Sequence, residues 1–325
     1  MFTADVAQAF PSVRPRRMCH RLLDLGFEAK FAVFAESFLT GRTVRMRLGG
    51  PDQKAPGLPQ GSPLSPVLFA LYMAPLGQGR DDLYNYVDDI AVFVSARTHD
   101  GAKKLLRDRF TEVQAWVSSE GLTLDLQKTD VLFFKPQKQP EEVDLGGGLV
   151  VWAGTSLEWL GVHLDSRLGF KTHAEQVVRK ATRVVGLLAR VSKVYRGLPP
   201  KAAAVAAKAT VGSVTQYTIE AWWPGLQRSR LGRTYPTGGK GLAKTINAMQ
   251  TAAARAAVPS WRTTPTAEVR ATCQFPPVEV VAGSRRRQYR RKARDDASHV
   301  VHSRVTSAHQ TRLTDNSLVE ASTSG

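Results

Sequence analysis

The sequence has few cysteines and no long apolar run. Only two of its 325 residues are cysteine, Cys19 and Cys273, and they stand far apart without a partner motif. This spacing supports neither a disulfide framework nor a zinc site. There is no run of about 18 or more apolar residues, and the start MFTADVAQAF lacks the basic stretch and apolar core of a signal peptide. Neither a membrane nor a secreted protein is indicated, and the chain is expected to stay inside the cell.

Acidic residues are scarce in the second part of the chain. Residues 1–170 contain 19 Lys and Arg against 20 Asp and Glu, a net charge of −1, whereas residues 171–325 contain 26 against 8, a net charge of +18. A positive field concentrated in one region favours a polyanionic partner, because each neutralised phosphate releases condensed counterions. A solvated basic tail is the alternative explanation.

The hydrophobic pattern of residues 1–135 predicts a split βαβ unit. FTADVAQAF is typical of a strand end, and residues 15–25, 28–40 and 100–120 have the apolar spacing of helices. YNYVDDIAVFVS (84–95) is typical of two short strands joined by a turn. The order strand, helix, strand, strand, helix, strand fits an antiparallel sheet backed by helices.

The character of the sequence changes near residue 170. Residues 136–148 predict a loop and residues 158–170 a hairpin, whereas residues 171–196 predict a strong amphipathic helix that further helices follow. Past residue 282 the sequence becomes polar and basic, which is typical of a flexible tail. The expected domains are therefore residues 1–170, 171–282 and 283–325.

Three carboxylates are predicted to converge. Asp5 ends one apolar strand, and Asp88-Asp89 lie in the turn of a hairpin with apolar flanks. Converging carboxylates repel one another and lose hydration, so they usually hold cations, and oxygen-rich sites with room for phosphate suit Mg²⁺. Two such ions, about 3.5–4 Å apart, serve nucleotidyl transfer. An ordinary surface turn is the alternative for the Asp-Asp pair, but the flanking Val87 and Ile90 argue against it.

Five segments occur in the order of the palm motifs of reverse transcriptases. They are Asp5 to Phe10, Leu58 to Pro63, Tyr86 to Asp89, Gly121 to Lys128 and Trp159 to Gly161. The later segments TIEAWWPG and MQTAAARAAVPSWRTTPTAEV resemble the region after the palm in LINE-type (non-LTR) retrotransposons. The resemblance implies an α+β fold, in which a palm with a ferredoxin-like antiparallel sheet and helices on one face precedes a helical thumb.

The resemblance also implies a metal centre. Asp5 and Asp88 would be the principal ligands of two Mg²⁺ ions, with Mn²⁺ as an alternative, and Asp89 would complete the pair. Lys128 matches a lysine near the triphosphate, where a cation or proton donor helps pyrophosphate depart. A solvated surface charge is the alternative for this lysine.

The implied nucleotide pocket involves Phe10, Gln60 and Gly61. Phe10 matches a bulky gate under the sugar that excludes a 2′-hydroxyl, although plain core packing explains an aromatic residue there equally well. Gln60 and Gly61 would shape the pocket around the incoming nucleotide and the template base, since glycine permits close backbone approach.

The implied primer and template contacts lie after residue 158. Trp159, Leu160 and Gly161 would grip the primer near its 3′ end, with core packing as the alternative for the tryptophan. The helix 171–196 would track the duplex through phosphate contacts, and a solvated helix face is the alternative. The basic residues expected to make these contacts are Arg179, Arg183, Arg190 and Lys193.

The expected function is RNA-directed DNA polymerisation, with an RNA template, a DNA primer and deoxynucleoside triphosphates as partners. Because only four residues precede Asp5, the fingers region is expected to be missing, the isolated chain to be weak or inactive, and the chain to be part of a longer polyprotein. Pro11 stands where many relatives carry an acidic residue, which affects local geometry more than catalysis.

Two other functions stay open. One is a catalytically inactive retroelement remnant that binds nucleic acid, and the other is a group II intron-type maturase, which shares the palm. The arginine runs 285–287 and 290–292 are typical of a nucleic-acid arm or a nuclear localisation signal. A nuclear location would follow from the family's need to reach chromosomal DNA.

Overall fold

The computed structural model divides into two compact units, Met1–Leu168 and Gly169–Gly325. None of the described helices is long and apolar enough to cross a lipid bilayer. The structure describes residues 1–44, 53–54, 56–135, 141–192, 197–223, 226–228, 234–236 and 239–295.

The first unit alternates strands and helices. Its elements are β1 (Phe2–Ala7), α1 (Ala9–Ser12), α2 (Pro15–Asp24), α3 (Ala29–Leu39), β2 (Thr43–Val44), β3 (Gln53–Lys54), α4 (Leu64–Gly77), β4 (Leu83–Tyr86), β5 (Asp89–Val92), α5 (His99–Ser119), β6 (Thr123–Leu132), β7 (Glu142–Gly146), β8 (Leu149–Gly154), β9 (Ser156–Trp159) and β10 (Val162–Asp165). Pro15 opens α2, where a missing N–H group costs nothing. The Thr98 hydroxyl caps α5 by accepting from the Gly101 N–H at 3.1 Å.

The main sheet has the strand order β4-β5-β1-β6-β8-β7. Its first four strands are antiparallel throughout, and β1 pairs with both β5 and β6. This arrangement confirms the split βαβ unit predicted from the sequence. β8 then pairs parallel with the end of β6, so the complete sheet is mixed.

The loop predicted over residues 136–148 is partly wrong, because Glu142–Gly146 form β7 and pair with β8. The alternating Val143 and Leu145 are fully buried in the core beside α5. Glycine-rich composition favoured a loop, and tertiary packing of two apolar side chains overrides it. Residues 136–140 lie outside the described residues.

The core of the first unit lies between the sheet and its helices. The predicted stripe on α5 is confirmed, since its apolar side chains are at most 1% exposed. The ring of Phe2 on β1 meets that of Phe110 on α5 edge to face, with centroids 5.5 Å apart. The buried residues of this stripe are Leu106, Phe110, Val113 and Val117.

A buried carboxylate joins α2 to the end of α5. Glu120 is 4% exposed and accepts two hydrogen bonds of 2.9 Å from the Arg17 guanidinium. Arg21 adds an ion pair at 2.8 Å, and the buried Tyr72 hydroxyl on α4 donates to the Glu120 carbonyl at 2.8 Å. Burial raises the pKa of Glu120, but the hydrogen bonds from Arg17 and Arg21 outweigh it, and the net pKa lies below its ordinary value of 4.5.

The second unit is mainly helical. Its elements are α6 (Lys171–Val191), α7 (Pro200–Ala207), a π-helical turn (Lys208–Gly212), α8 (Ser213–Gln216), α9 (Ile219–Trp222), β11 (Leu226–Arg228), β12 (Thr234–Pro236), α10 (Gly239–Ala257), α11 (Thr266–Thr272) and α12 (Val278–Asp295). Two apolar clusters form its core, one around Val211 and Phe275 and one around Trp222 and Ile246.

The basic stretch after residue 282 begins as helix rather than as the expected flexible tail, because α12 continues to Asp295. Two of its arginines bind backbone carbonyls of the same unit. Arg285 donates to the Gln216 carbonyl at 2.7 Å and Arg286 to the Trp223 carbonyl at 3.3 Å. These bonds explain why a polar sequence is ordered there, and residues 296–325 lie outside the described residues.

The Glu120 cluster, in which Glu120 binds Arg17 and Arg21, should stabilise the folded state at neutral pH and lose this effect in acid. Replacing Glu120 by Gln leaves two arginines without their counter-charge and should lower the free energy of unfolding by about 2–3 kcal/mol at pH 7. Because the folded pKa is lowered, the wild-type contribution is complete above pH 4.5 and is lost as pH falls through the folded pKa. Urea unfolding as a function of pH measures both effects.

Glu112→Gln is the matched control, because Glu112 is 44% exposed and binds Arg80 and Arg109 on the surface. It should cost at most about 1 kcal/mol. Equal losses in the two variants, or a loss in Glu120→Gln that is independent of pH, would contradict the assigned role.

Candidate active site

The register of the sheet brings together carboxylates that are distant in the sequence. Asp5 on β1 lies directly opposite Asp89 on β5. The Val6 N–H donates to the Asp88 carbonyl at 3.1 Å, which ties the hairpin turn to the end of β1. Phe2, Ala4 and Val6 alternate along one face of β1 and are buried in the core, so this pairing has a single register, and the predicted convergence follows from it.

The turn that carries Asp88 is strained. β4 and β5 are joined by only two residues, since Tyr86 pairs with Asp89. Val87 therefore adopts a left-handed conformation with φ 58°, which is costly for a β-branched side chain. Its side chain packs against the core, which offsets part of that cost. Such strain is typical of functional turns.

The carboxylates repel one another in their charged forms. Burial raises the pKa of Asp89, and the nearby Asp88 and Asp5 raise it further. Asp5 Oδ1 is buried without a hydrogen-bond partner. An unpaired buried carboxylate oxygen beside two further carboxylates is an environment that favours a bound cation.

Lys128 already supplies one positive charge to this site. Its Nζ lies 2.7 Å from Asp5 Oδ2 and 3.6 Å from Asp125 Oδ2. The hydrogen bond to Asp5 raises the lysine pKa. Sequence reasoning predicted Lys128 but missed Asp125, which lies opposite Asp5 on β6. The available signal was its position three residues before Lys128, within the motif segment Gly121 to Lys128.

The site can hold divalent cations only with help from other ligands. The described residues contain no group of three or more His, Cys, Asp or Glu side chains arranged to hold a metal ion. Mg²⁺ in polymerase-type sites is held by one or two carboxylates, and substrate phosphates and water complete its octahedron. The unpaired Asp5 oxygen and the carboxylate repulsion fit that pattern.

The loop that carries Gln60 and Gly61 is anchored to Phe10. The Leu58 N–H donates to the Phe10 carbonyl at 2.7 Å. A Cβ atom at Gly57 would lie 2.2 Å from that carbonyl oxygen, and φ there is +67°, so only glycine fits. Phe10 is partly buried with its ring 5.4 Å from that of Phe69, whereas Gln60 and Gly61 are exposed.

The hairpin that carries Trp159 lies elsewhere on the unit. Its two turn residues, Leu160 and Gly161, both have positive φ, as a tight hairpin turn requires. The Trp159 ring packs edge to face on Phe93, with centroids 6.4 Å apart. Phe93 follows β5 at the end remote from Asp89, about 13 Å along the strand. Trp159 thus makes a packing contact of the kind that its alternative explanation predicted, beside the end of β5 remote from Asp89.

The basic residues predicted on the long helix belong to the second unit. On α6 the side chains of Arg179, Arg183 and Arg190 are all exposed. Arg179 donates to Gln176 one turn away. Lys193 lies outside the described residues.

Removing one carboxylate should stabilise the fold. Asp89→Asn keeps the side-chain shape but removes like-charge repulsion from a directly opposed cross-strand pair, so the free energy of unfolding at pH 7 should rise by about 0.2–1 kcal/mol. Urea unfolding without divalent ions measures this gain. Asp100→Asn is the control, because Asp100 is an exposed residue in the first turn of α5. A loss of stability in Asp89→Asn would contradict the electrostatic argument.

The anchored loop leads to a second prediction. Gly57→Ala should lower the free energy of unfolding by more than about 2 kcal/mol, since it combines a left-handed alanine with a backbone clash. Gly61→Ala is the matched control, because Gly61 also has positive φ but nothing lies within 4 Å of its Cβ position. It should lose only about 1 kcal/mol. Equal losses in urea unfolding would show that Gly57 does not approach Phe10 closely.

Comparisons with known proteins find similar proteins among retrotransposon proteins. The chain is 27% identical over 194 residues to the probable RNA-directed DNA polymerase from transposon BS of Drosophila melanogaster, covering 54% of this chain and 21% of the relative. It is 27% identical over 205 residues to the putative 115 kDa protein in type-1 retrotransposable element R1DM of the same species, covering 61% and 20%. The chain thus spans about a fifth of the length of these relatives.

A solved telomerase from Candida albicans, in complex with a TWJ fragment of telomeric RNA, is 10% identical. The match covers 85% of this chain and 51% of that chain, with a TM-score of 0.39.

The family-level match includes every carboxylate of the site. A family model described as reverse transcriptase (RNA-dependent DNA polymerase) matches residues 1–164, about half of the chain. Together with the retrotransposon relatives, it confirms the resemblance to LINE-type elements that the sequence motifs indicated. This chain belongs to the reverse transcriptase family.

Proposed function

We propose that this chain is the palm and thumb portion of a longer retrotransposon protein and that it adds deoxynucleotides to a primer 3′ end on an RNA template. The observation that carries the proposal is the direct opposition of Asp5 and Asp89 across β1 and β5, with Asp88 in the adjoining turn. This cluster lies within the segment that matches the family.

Asp5, Asp88 and Asp89 are the proposed ligands of two Mg²⁺ ions, which Mn²⁺ could replace. The unpaired Asp5 oxygen and the raised pKa of Asp89 support this assignment. When bound, the ions supply activation of the primer 3′-hydroxyl and stabilisation of the leaving pyrophosphate. The strained turn at Val87 positions the backbone of Asp88 against β1 before any substrate arrives.

Lys128 is the proposed cation on the leaving-group side. Its ammonium is exposed, and Asp5 and Asp125 position it from two sides. The hydrogen bond to Asp5 raises its pKa, so Nζ keeps its proton at neutral pH. A protonated amine can neutralise phosphate charge and donate a proton to departing pyrophosphate.

Phe10, Gln60 and Gly61 are the proposed wall of the nucleotide pocket. The hydrogen bond from the Leu58 N–H to the Phe10 carbonyl ties the loop that carries Gln60 and Gly61 to the backbone of Phe10. A partly buried aromatic ring that packs on Phe69 has little freedom to move aside. Such a ring can exclude a ribose 2′-hydroxyl sterically and thereby favour deoxynucleotides.

The proposed contacts to template and primer are electrostatic and independent of sequence. Three exposed arginines follow one another along α6, and the net charge of residues 171–325 is +18. Phosphate contacts of this kind position a duplex without reading its bases. The arginines are Arg179, Arg183 and Arg190; Lys193, also proposed from the sequence, and the hairpin residues Trp159, Leu160 and Gly161 complete the proposed set.

Primer extension on poly(rA)·oligo(dT) tests the function. Wild-type chain with Mg²⁺ should extend the primer at the weak rate expected of the isolated chain, and Asp88→Asn should reduce that rate by about 100-fold or more, because a metal ligand is removed while the side-chain shape is kept. Asp100→Asn serves as the control and should keep the wild-type rate. EDTA should abolish extension in every variant.

Other outcomes would favour the alternative functions. Binding of template and primer without extension, unchanged by Asp88→Asn, would favour an inactive remnant that binds nucleic acid. Selective binding of one intron RNA with support of its splicing would favour a maturase. Equal extension by wild type and Asp88→Asn would contradict the proposed metal ligands.

A further inference from the structure

Among the large apolar side chains of the described residues, Trp261 has the highest exposed fraction, 84%. It lies between α10 and α11 in the second unit, well outside the matched segment 1–164. Tryptophan has the largest apolar surface of any side chain, and a folded chain ordinarily buries most of it. Such exposure on a fixed segment suggests that a partner covers the ring.

The backbone around Trp261 is held in place. Arg255 on α10 donates to the Trp261 carbonyl at 3.1 Å and to the Thr264 carbonyl at 2.9 Å. The Thr264 N–H closes a turn by donating to the Trp261 carbonyl at 3.0 Å. These three bonds define a preorganised turn, Trp261–Thr264, so a ligand would meet the indole ring without first ordering a loop.

The chemistry around the turn favours a nucleic-acid strand over an apolar partner. The next residue, Arg262, is exposed, and the whole net positive charge of the chain lies in this unit, +18 for residues 171–325 against −1 for residues 1–170. An aromatic ring beside cations is the arrangement that binds single strands, because bases stack on the ring while phosphates meet the positive charge. Paired bases in a duplex already stack on each other and offer no free face to the ring.

We propose that the turn Trp261–Thr264 is a stacking site for an unpaired nucleotide, with the indole ring against the base and Arg262 near its phosphate. This turn belongs to the second unit, whereas the carboxylates belong to the first. It rests on the nucleic-acid binding in the proposed function but not on catalysis, so it can be tested without polymerisation.

The test measures binding of a fluorescein-labelled oligo(rU) strand and of a duplex of equal length, by anisotropy in EDTA. Trp261→Ala should weaken binding of the single strand about tenfold and leave duplex binding within about twofold. Trp261→Phe should keep most of the affinity, because it keeps an aromatic face. Since Trp261 is so exposed, the melting temperature of these variants should equal that of the wild type.

Salt dependence separates stacking from charge. Trp261→Ala should leave the slope of log affinity against log salt unchanged, whereas Arg262→Ala should reduce its magnitude by about 0.7, the value for one phosphate contact on a single strand. Trp152→Ala is the matched control, because Trp152 is 61% exposed but lies on β8 opposite Glu142. It should bind like the wild type.

The proposal is overturned if Trp261→Ala binds the single strand like the wild type, which would leave a protein as the partner of the ring. It is also overturned if Trp152→Ala loses as much affinity, or if the duplex loses as much as the single strand. A wild-type chain that binds oligo(rU) through Trp261 but extends no primer would refute the polymerase proposal alone.

Discussion

The pairing of β1 with both β5 and β6 is the constraint on which the site depends. This central strand sets Asp5 opposite Asp89 on one side and opposite Asp125 on the other. A shift of one residue would turn every buried side chain of β1 to the other face, so the apolar core itself holds the register. The packing that stabilises the core therefore also fixes the positions of the carboxylates.

The carboxylate site destabilises the folded state, and packing and ion pairs elsewhere in the first unit offset this cost. Carboxylate repulsion and a left-handed Val87 both raise the energy of the folded state. The sheet is backed by the fully buried stripe of α5. At the end of α5, Glu120 joins two arginines of α2 and the hydroxyl of Tyr72 on α4. A rigid support of this kind lets an unfavourable charge cluster persist.

Basic residues of the second unit divide into two groups by their contacts. Arg255, Arg285 and Arg286 donate to backbone carbonyls and thereby hold turns and helices in place. Arg179, Arg183 and Arg190 instead lie along the exposed side of α6, where phosphates can reach them. Net charge alone does not distinguish these groups, because a guanidinium that binds a carbonyl counts the same as one in water.

The sequence by itself determined the order of strands and helices in residues 1–135, the split βαβ unit and the candidate carboxylates, because these follow from local periodicity and short motifs. Only the tertiary structure decided that Lys128 binds Asp5, since the two lie 123 positions apart. It also revealed β7, the Glu120 cluster, the packing of Trp159 and the exposure of Trp261. Each of these depends on which distant segments meet, and a local pattern carries no information about such contacts.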